Sequence, residues 1–224
     1  MHALCGADLR VTAAGRTDAG VHATGQVVHL DLPRPYPADT VRDALNHHLK
    51  PDPVAVLLAI EVDEGFHARF DATARHYRYE ILNRRAPAVL DRHRVWHLAK
   101  PLDVDAMAAA AALLVGHHDF SSFRSTQCQA ASPLKTLDRL TVARHDDRVV
   151  ICASARSFLH NQVRIMTGSL AQVGLGRWQP ARLAAALAAC DRTAAGPTAP
   201  PQGLCLVGVD YGAPAEDLSR RRRD

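Results

Sequence analysis

Asp18 stands in the stretch Ala14-Gly15-Arg16-Thr17-Asp18-Ala19-Gly20-Val21-His22-Ala23-Thr24-Gly25-Gln26, two residues after Arg16 and among three glycines. Glycine reaches backbone angles closed to other residues and lets a ligand approach the main chain closely. A lone acid beside an arginine in such a loop is either a structural ion pair or a poised nucleophile. A carboxylate nucleophile must be ionised, and a nearby cation favours that form. Arg16 is the cation closest in sequence.

A second constellation lies along Thr73–Leu82, where apolar and polar residues alternate. Tyr77, Tyr79 and Ile81 fall on one face of a strand, and His76, Arg78 and Glu80 on the other. Tyrosines beside basic groups suit a nucleic-acid surface, but a half-buried strand with aromatic packing explains the pattern equally well. Other chemistries find less support. The 13 histidines include His47-His48 and His117-His118, yet no helical His-x-x-x-His or Cys-x-x-Cys motif joins these pairs, so no metal site is expected. Glycoside hydrolysis asks for two flanking carboxylates, and Asp18 has no motif partner. Cys5, Cys128, Cys152, Cys190 and Cys205 are odd in number, scattered and without a nucleophile signature. That usage points to a reducing, cytoplasmic compartment.

The elements that must hold these groups follow from periodicity. At 224 residues the chain is long enough for one large domain or two small ones. Short β-like runs, Leu9–Ala13 and Gln26–Leu32, flank the aspartate loop. A helix capped by Asp39 or Thr40 runs to Leu49 and stops before Pro51. The apolar run Val54–Val62 predicts a strand buried on both faces. Helices are expected over Leu102–Val115, His160–Val173 and Pro180–Cys190, and strands over Leu134–Arg144, Arg148–Ala155 and Leu204–Tyr211, with a loop across His117–Pro133. The division is an α+β fold with residues 1–100 as an N-terminal catalytic lobe, 101–212 as a C-terminal lobe, and 213–224 as a disordered basic tail. The net charge of +4 and pI near 9.0 are weak signs of a polyanionic partner on their own. Arg69, Arg75, Arg78, Arg84 and Arg85 form the main internal cluster. No run is long enough to span a bilayer, and Met1–Arg10 lacks the features of a secretory signal.

Several ordered segments together resemble the family of tRNA pseudouridine synthases that act on positions 38 to 40 in the anticodon stem-loop. They are Gly15-Arg16-Thr17-Asp18-Ala19-Gly20-Val21-His22, Phe66-His67-Ala68-Arg69-Phe70 and Ala74-Arg75-His76-Tyr77-Arg78-Tyr79. The second half adds Asp119-Phe120-Ser121-Ser122-Phe123-Arg124, Phe158-Leu159-His160-Asn161-Gln162-Val163-Arg164 and Gly203-Leu204-Cys205-Leu206-Val207. The resemblance implies the pseudouridine synthase fold, two α/β lobes around a mainly antiparallel sheet, in a cofactor-free homodimer that binds tRNA in a basic cleft. Carried over by position, Asp18 resembles the nucleophile, Tyr77 the aromatic that stacks on the target base, and Arg16 an arginine that helps hold the flipped-out state. Arg164 resembles the basic residue paired with the carboxylate. His22 and His67 are expected to hydrogen-bond loop backbone.

Uridine and pseudouridine differ only in which ring atom joins the ribose, so the reaction needs no redox step and no outside atom. It does need an extruded base, which costs a few kcal/mol and is helped by aromatic stacking. Attack on the sugar carbon, attack on C6 of the base and assisted loss of a ribose proton all remain open. The family resemblance favours a route through an eliminated sugar intermediate. In one respect the chain departs from the family pattern. A strand and helix carrying Asp-Gly, aromatic and Gly-Trp-Gln signatures usually precede the aspartate loop by roughly forty residues, and here Asp18 comes almost at once. Either the start is assigned too far downstream or that element is missing. A missing edge strand would expose ladder groups, so a catalytically impaired RNA-binding remnant is the alternative reading.

Overall fold

The computed structural model describes residues 5, 6 and 8–212. In chain order the elements are β1 (Thr12–Ala13), β2 (His22–Ala23), β3 (Val28–His29), α1 (Ala38–His48), β4 (Ala72–Leu82), β5 (Trp96–His97), α2 (Val104–Ala112), β6 (Gly116–Asp119), β7 (Leu134–His145), β8 (Arg148–Ala155), α3 (Gln162–Gly174), α4 (Pro180–Ala188) and β9 (Leu204–Tyr211). Short 3-10 turns occupy Ser121–Phe123, Arg192–Ala194 and Pro201–Gly203. The fold is α+β with a mainly antiparallel sheet, as expected.

That sheet runs β2-β9-β4-β8-β7-β6, with β5 beside β4 where β9 has ended. Among the described residues only the β2–β9 and β4–β5 pairings are parallel. The alternation in β8 decides its two faces. Val149, Ile151, Ala153 and Ala155 are buried, while Arg148, Val150, Cys152 and Ser154 between them are only half-buried. Asp146 closes the β7–β8 hairpin in a left-handed conformation, φ 53°, which a short polar side chain tolerates.

Helices α2, α3 and α4 bury apolar residues in the same core as Tyr79, Ile81 and Ile151. Asp103 accepts from Ala106 N–H at 2.9 Å to cap α2. Nearly all of α3 is buried, polar residues included; Gln162 and Ser169 are satisfied locally, whereas the buried Thr167 hydroxyl has no hydrogen-bond partner among the described residues. Gln162 Oε1 accepts from Leu159 N–H at 2.8 Å. Ser169 Oγ donates to Ile165 O and accepts from Gly196 N–H, both at 2.8 Å.

Among the described residues two compact units emerge: those up to 15 together with 27–71, and 16–26 together with 72–212. This differs from a division at 100. Strands β4 and β5 precede residue 100, yet β4 pairs along its length with β8 and β9, and ladder hydrogen bonds hold them in one body. Within the first unit, β1 pairs with β3. The expected basic tail, 213–224, lies outside the described residues.

The apolar run 54–62 forms no strand. Val54 is 58 % exposed and Leu57 71 %. Its backbone is tied instead to a side chain: Asn46 Nδ2 donates to Val56 O at 2.8 Å, and Val56 N–H donates to Asn46 Oδ1 at 2.7 Å. The segment from His117 likewise departs from a plain loop, because β6 pairs with Leu134–Leu137. Elsewhere the expected elements form with ends shifted by a few residues. Asp39 lies in the first turn of α1, and Pro37 occupies the cap position.

Candidate active site

Asp18 sits at the first position of a tight turn. Val21 N–H donates to Asp18 O at 3.0 Å, and Gly20 takes φ +82°. That is the backbone a type II turn demands at its third residue, and glycine adopts it without strain. Beyond the turn the chain is clamped to β9. His22 and Ala23 pair with Cys205 and Leu206, and the N–H groups of Thr24 and Gly25 both donate to Leu206 O, at 3.0 and 3.1 Å. A Cβ on Gly25 would lie 2.3 Å from Val207 O, so only glycine permits this approach. Two of the loop's three glycines therefore have defined structural tasks.

The carboxylate is gripped at both oxygens. Arg164 Nη1 donates to Asp18 Oδ2 at 3.0 Å, and His160 Nε2 lies 3.1 Å from Asp18 Oδ1. The Asp18 side chain keeps 31 % exposure, His160 37 % and Arg164 14 %. Arg164 is itself held, with Nε donating to Ala199 O at 2.8 Å and Nη1 to Asn161 Oδ1 at 2.7 Å. Asn161 precedes α3 with φ 63°, a left-handed angle that asparagine tolerates better than most residues. Ala199 N–H returns a bond to Arg164 O at 3.0 Å.

Tyr77 lies in the middle of β4, its ring edge-to-face with Phe158 at 5.2 Å and 89°. Burial raises the pKa of its phenol, the Asp18 charge adds to the rise, and Arg75 opposes it. Tyr77 is accordingly a neutral ring beside an anionic carboxylate. Tyr79, two residues on, is fully buried and donates to Pro200 O at 2.7 Å, so it is a core residue. The opposite face of β4 is engaged in ion pairs. Arg78 pairs with Glu80 at 3.0 Å, and Arg148 bridges Glu80 at 2.7 Å and Asp91.

Of the residues read from the sequence, the structure brings Asp18 and Arg164 together, with Tyr77 close enough to feel the Asp18 charge. Arg16 stands exposed on the loop, and the two groups paired with Asp18 are Arg164 and His160. His160 was not singled out as a site residue, because its contact spans 142 residues and no local spacing reveals it. Its sequence signal is its place in the Phe158–Arg164 segment, four residues before Arg164. His22 and His67 bond backbone as expected: His22 Nε2 contacts His93 O at 2.6 Å, and His67 Nδ1 accepts from the N–H groups of Arg69 and Phe70 at 3.2 Å. The Asp119–Arg124 stretch serves packing, since Phe120 and Phe123 are fully buried and Asp119 Oδ1 accepts from Ser121 N–H at 2.7 Å. Among the described residues no group of three or more His, Cys, Asp or Glu side chains is arranged to hold a metal ion.

An ionised carboxylate aimed by a guanidinium and an imidazole, with a neutral aromatic ring nearby, suits attack on an electrophilic carbon or acceptance of a proton at a stacked base. Residues 2–71 and 110–212 match the family profile described as tRNA pseudouridine synthase. A tRNA pseudouridine synthase A of Paramagnetospirillum magneticum is 61 % identical over 210 residues, covering 94 % of this chain and 82 % of that protein. A protein of the same name from Rhodopseudomonas palustris is 60 % identical over 209 residues, covering 93 % of this chain and 85 % of its own length. One from Rhodospirillum rubrum is 61 % identical over 208 residues, covering 93 % and 75 %. With the profile matched in both halves of the sequence and these relatives aligned over most of their length, the chain belongs to the tRNA pseudouridine synthase family.

Proposed function

We propose that this protein isomerises uridine to pseudouridine in tRNA, at positions 38, 39 and 40 of the anticodon stem-loop, with Asp18 as the nucleophile. The bond from ribose C1′ to N1 breaks, a bond from C1′ to C5 forms, N1 gains a proton and C5 loses one. The observation that carries this reading is the Asp18 carboxylate held at both oxygens, by Arg164 and by His160. A fixed anion of this kind supports attack on the sugar or base, or removal of a ribose proton. Tyr77 offers a ring on which an extruded uracil stacks, a contact worth roughly 1–3 kcal/mol. Arg16, exposed on the same loop, is available to the phosphate or to the space vacated by the flipped base.

An intact carboxylate clamp is what a binding-only remnant would have no reason to keep, so the catalytic reading is preferred to the impaired one. Phosphate contacts supply the remaining affinity and weaken with salt. Arg84, Arg85, Lys100 and Arg144 line an open hollow suited to such contacts. Five scattered cysteines without a pairing or metal-site spacing and a tRNA substrate favour the cytoplasm, and no helix among the described residues is long and apolar enough to cross a membrane. A homodimer is the assembly we expect, to be read by light scattering.

Tritium release from C5-labelled uridine in tRNA tests the proposal. The native protein releases label, with pseudouridine mapped to positions 38–40. Asp18→Asn releases none while binding tRNA with near-native affinity. Turnover by Asp18→Asn at the native rate would refute the nucleophile assignment.

A further inference from the structure

We propose that His160 is a positioning residue for this reaction, fixing the orientation of the Asp18 carboxylate by holding Oδ1. The proposal rests on Asp18 being the reacting group. A carboxylate turns about its Cβ–Cγ bond in a broad, roughly two-fold well. One donor, Arg164 Nη1 at Oδ2, leaves that bond a pivot. A second donor on the other oxygen, 3.1 Å away at His160 Nε2, closes the pivot. It does so while leaving each oxygen a lone pair for carbon or a proton. The bond requires the proton on Nε2.

His160 is framed for the task by a segment that takes no other part in the site. Its carbonyl accepts from Ser125 N–H at 2.9 Å, and its N–H donates to Cys128 Sγ at 3.5 Å. Cys128 N–H in turn donates to Ser125 O at 3.0 Å. The backbone of His160 is thus fixed from a turn some 35 residues upstream, and only the ring is left to meet Asp18. That ring is more than one-third exposed, so it fills no core space. Its replacement is therefore expected to move stability little. Arg164, at 14 % exposure and with three acceptors, provides the charge. His160 provides the aim.

The test compares His160→Ala, His160→Leu and His160→Gln with native protein and Asp18→Asn. Single-turnover tritium release is measured at saturating enzyme, and tRNA affinity by filter binding. Misplacing a reacting group by about 1 Å costs on the order of 100-fold, so His160→Ala and His160→Leu should lose about 10- to 100-fold in rate with tRNA affinity and melting temperature unchanged. His160→Gln, whose amide N–H reaches the same oxygen, should recover most of that loss. His160→Ala at the native rate beside a dead Asp18→Asn overturns the proposal, as does a His160→Gln as slow as His160→Leu. An active Asp18→Asn removes the reading beneath it, a separate failure.

Discussion

Tyr77 and Tyr79 lie two positions apart on one strand and on one side of the sheet, yet their hydroxyls are used differently. Tyr79 spends its proton on Pro200 O inside the core, whereas Tyr77 stands beside the Asp18 charge with its ring braced by Phe158. Burial raises the pKa of both phenols. Unfolded tyrosines ionise near pH 10, so above about pH 10 the unfolded chain sheds protons that the folded chain retains. The stability tied to neutral buried phenols is therefore whole below about pH 10 and falls as pH climbs toward the raised folded values. Tyr79→Phe removes one of these groups. Near neutral pH the variant should lose about 1 kcal/mol, the net worth of a hydrogen bond, and between about pH 9.5 and 11 its stability should decline less steeply than the native protein's. Denaturant unfolding across that range measures both effects. Identical alkaline slopes would mean that Tyr79 ionises as freely when folded as when unfolded.

Helix α3 links packing to the site. A Cβ on Gly168 would fall 1.8 Å from Pro197 O, so the strap that follows α4 lies directly on the helix backbone. That contact brings Ala199 O to Arg164 and Pro200 O to Tyr79. Gly168→Ala should push the strap away, destabilising the fold by about 1–3 kcal/mol as overpacking does. The rate of tritium release should fall more than tRNA affinity, because Arg164, which holds Asp18, loses its Nε acceptor. Native activity in Gly168→Ala would mean that the strap yields without disturbing Arg164. None of this is legible in a glycine seen in sequence, where Gly168 reads only as a weak spot in a helix. β8 was legible residue for residue, since period-two alternation writes its buried face directly; β9 forms over the expected span, but a bulge shifts its buried positions from 204 and 206 to 209 and 211, which alternation does not show. The run 54–62 was not legible, because an apolar stretch specifies neither a pairing partner nor a covering layer, and here Asn46 satisfies its backbone instead. Asp18 could be read from its loop and Arg164 from the family motif. The imidazole that completes the clamp stands in that same motif, but the resemblance attached no role to it, and its contact with Asp18 joins the turn to the residues just before α3.

The two compact units differ sharply in how much apolar surface they bury. The core that runs from Tyr79 through Met107, Ile151 and Leu170 to Leu204 is drawn entirely from the second unit. In the first, the buried apolar side chains among the described residues are Ala14, Val41 and Ala68. Val11, Val28, Val54, Leu57, Ile60 and Val62 of the same unit are exposed. Burying a valine side chain contributes roughly 1.5–3 kcal/mol, while ordering each backbone residue costs about 1–2 kcal/mol, so the first unit holds its order on a thin margin. Asp18, Tyr77, His160 and Arg164 all belong to the second unit, where the deeper core keeps the carboxylate clamp in register. Native-state hydrogen exchange should therefore divide the chain in two. Amides of α1 and of the β1–β3 pair should exchange at least about 100-fold faster than those of β4 and β8, with guanidinium below the main transition widening exchange only in the first group. Equal protection in α1 and β8 would require the two units to open as one cooperative body, and the small set of buried side chains in the first would then be no guide to its stability.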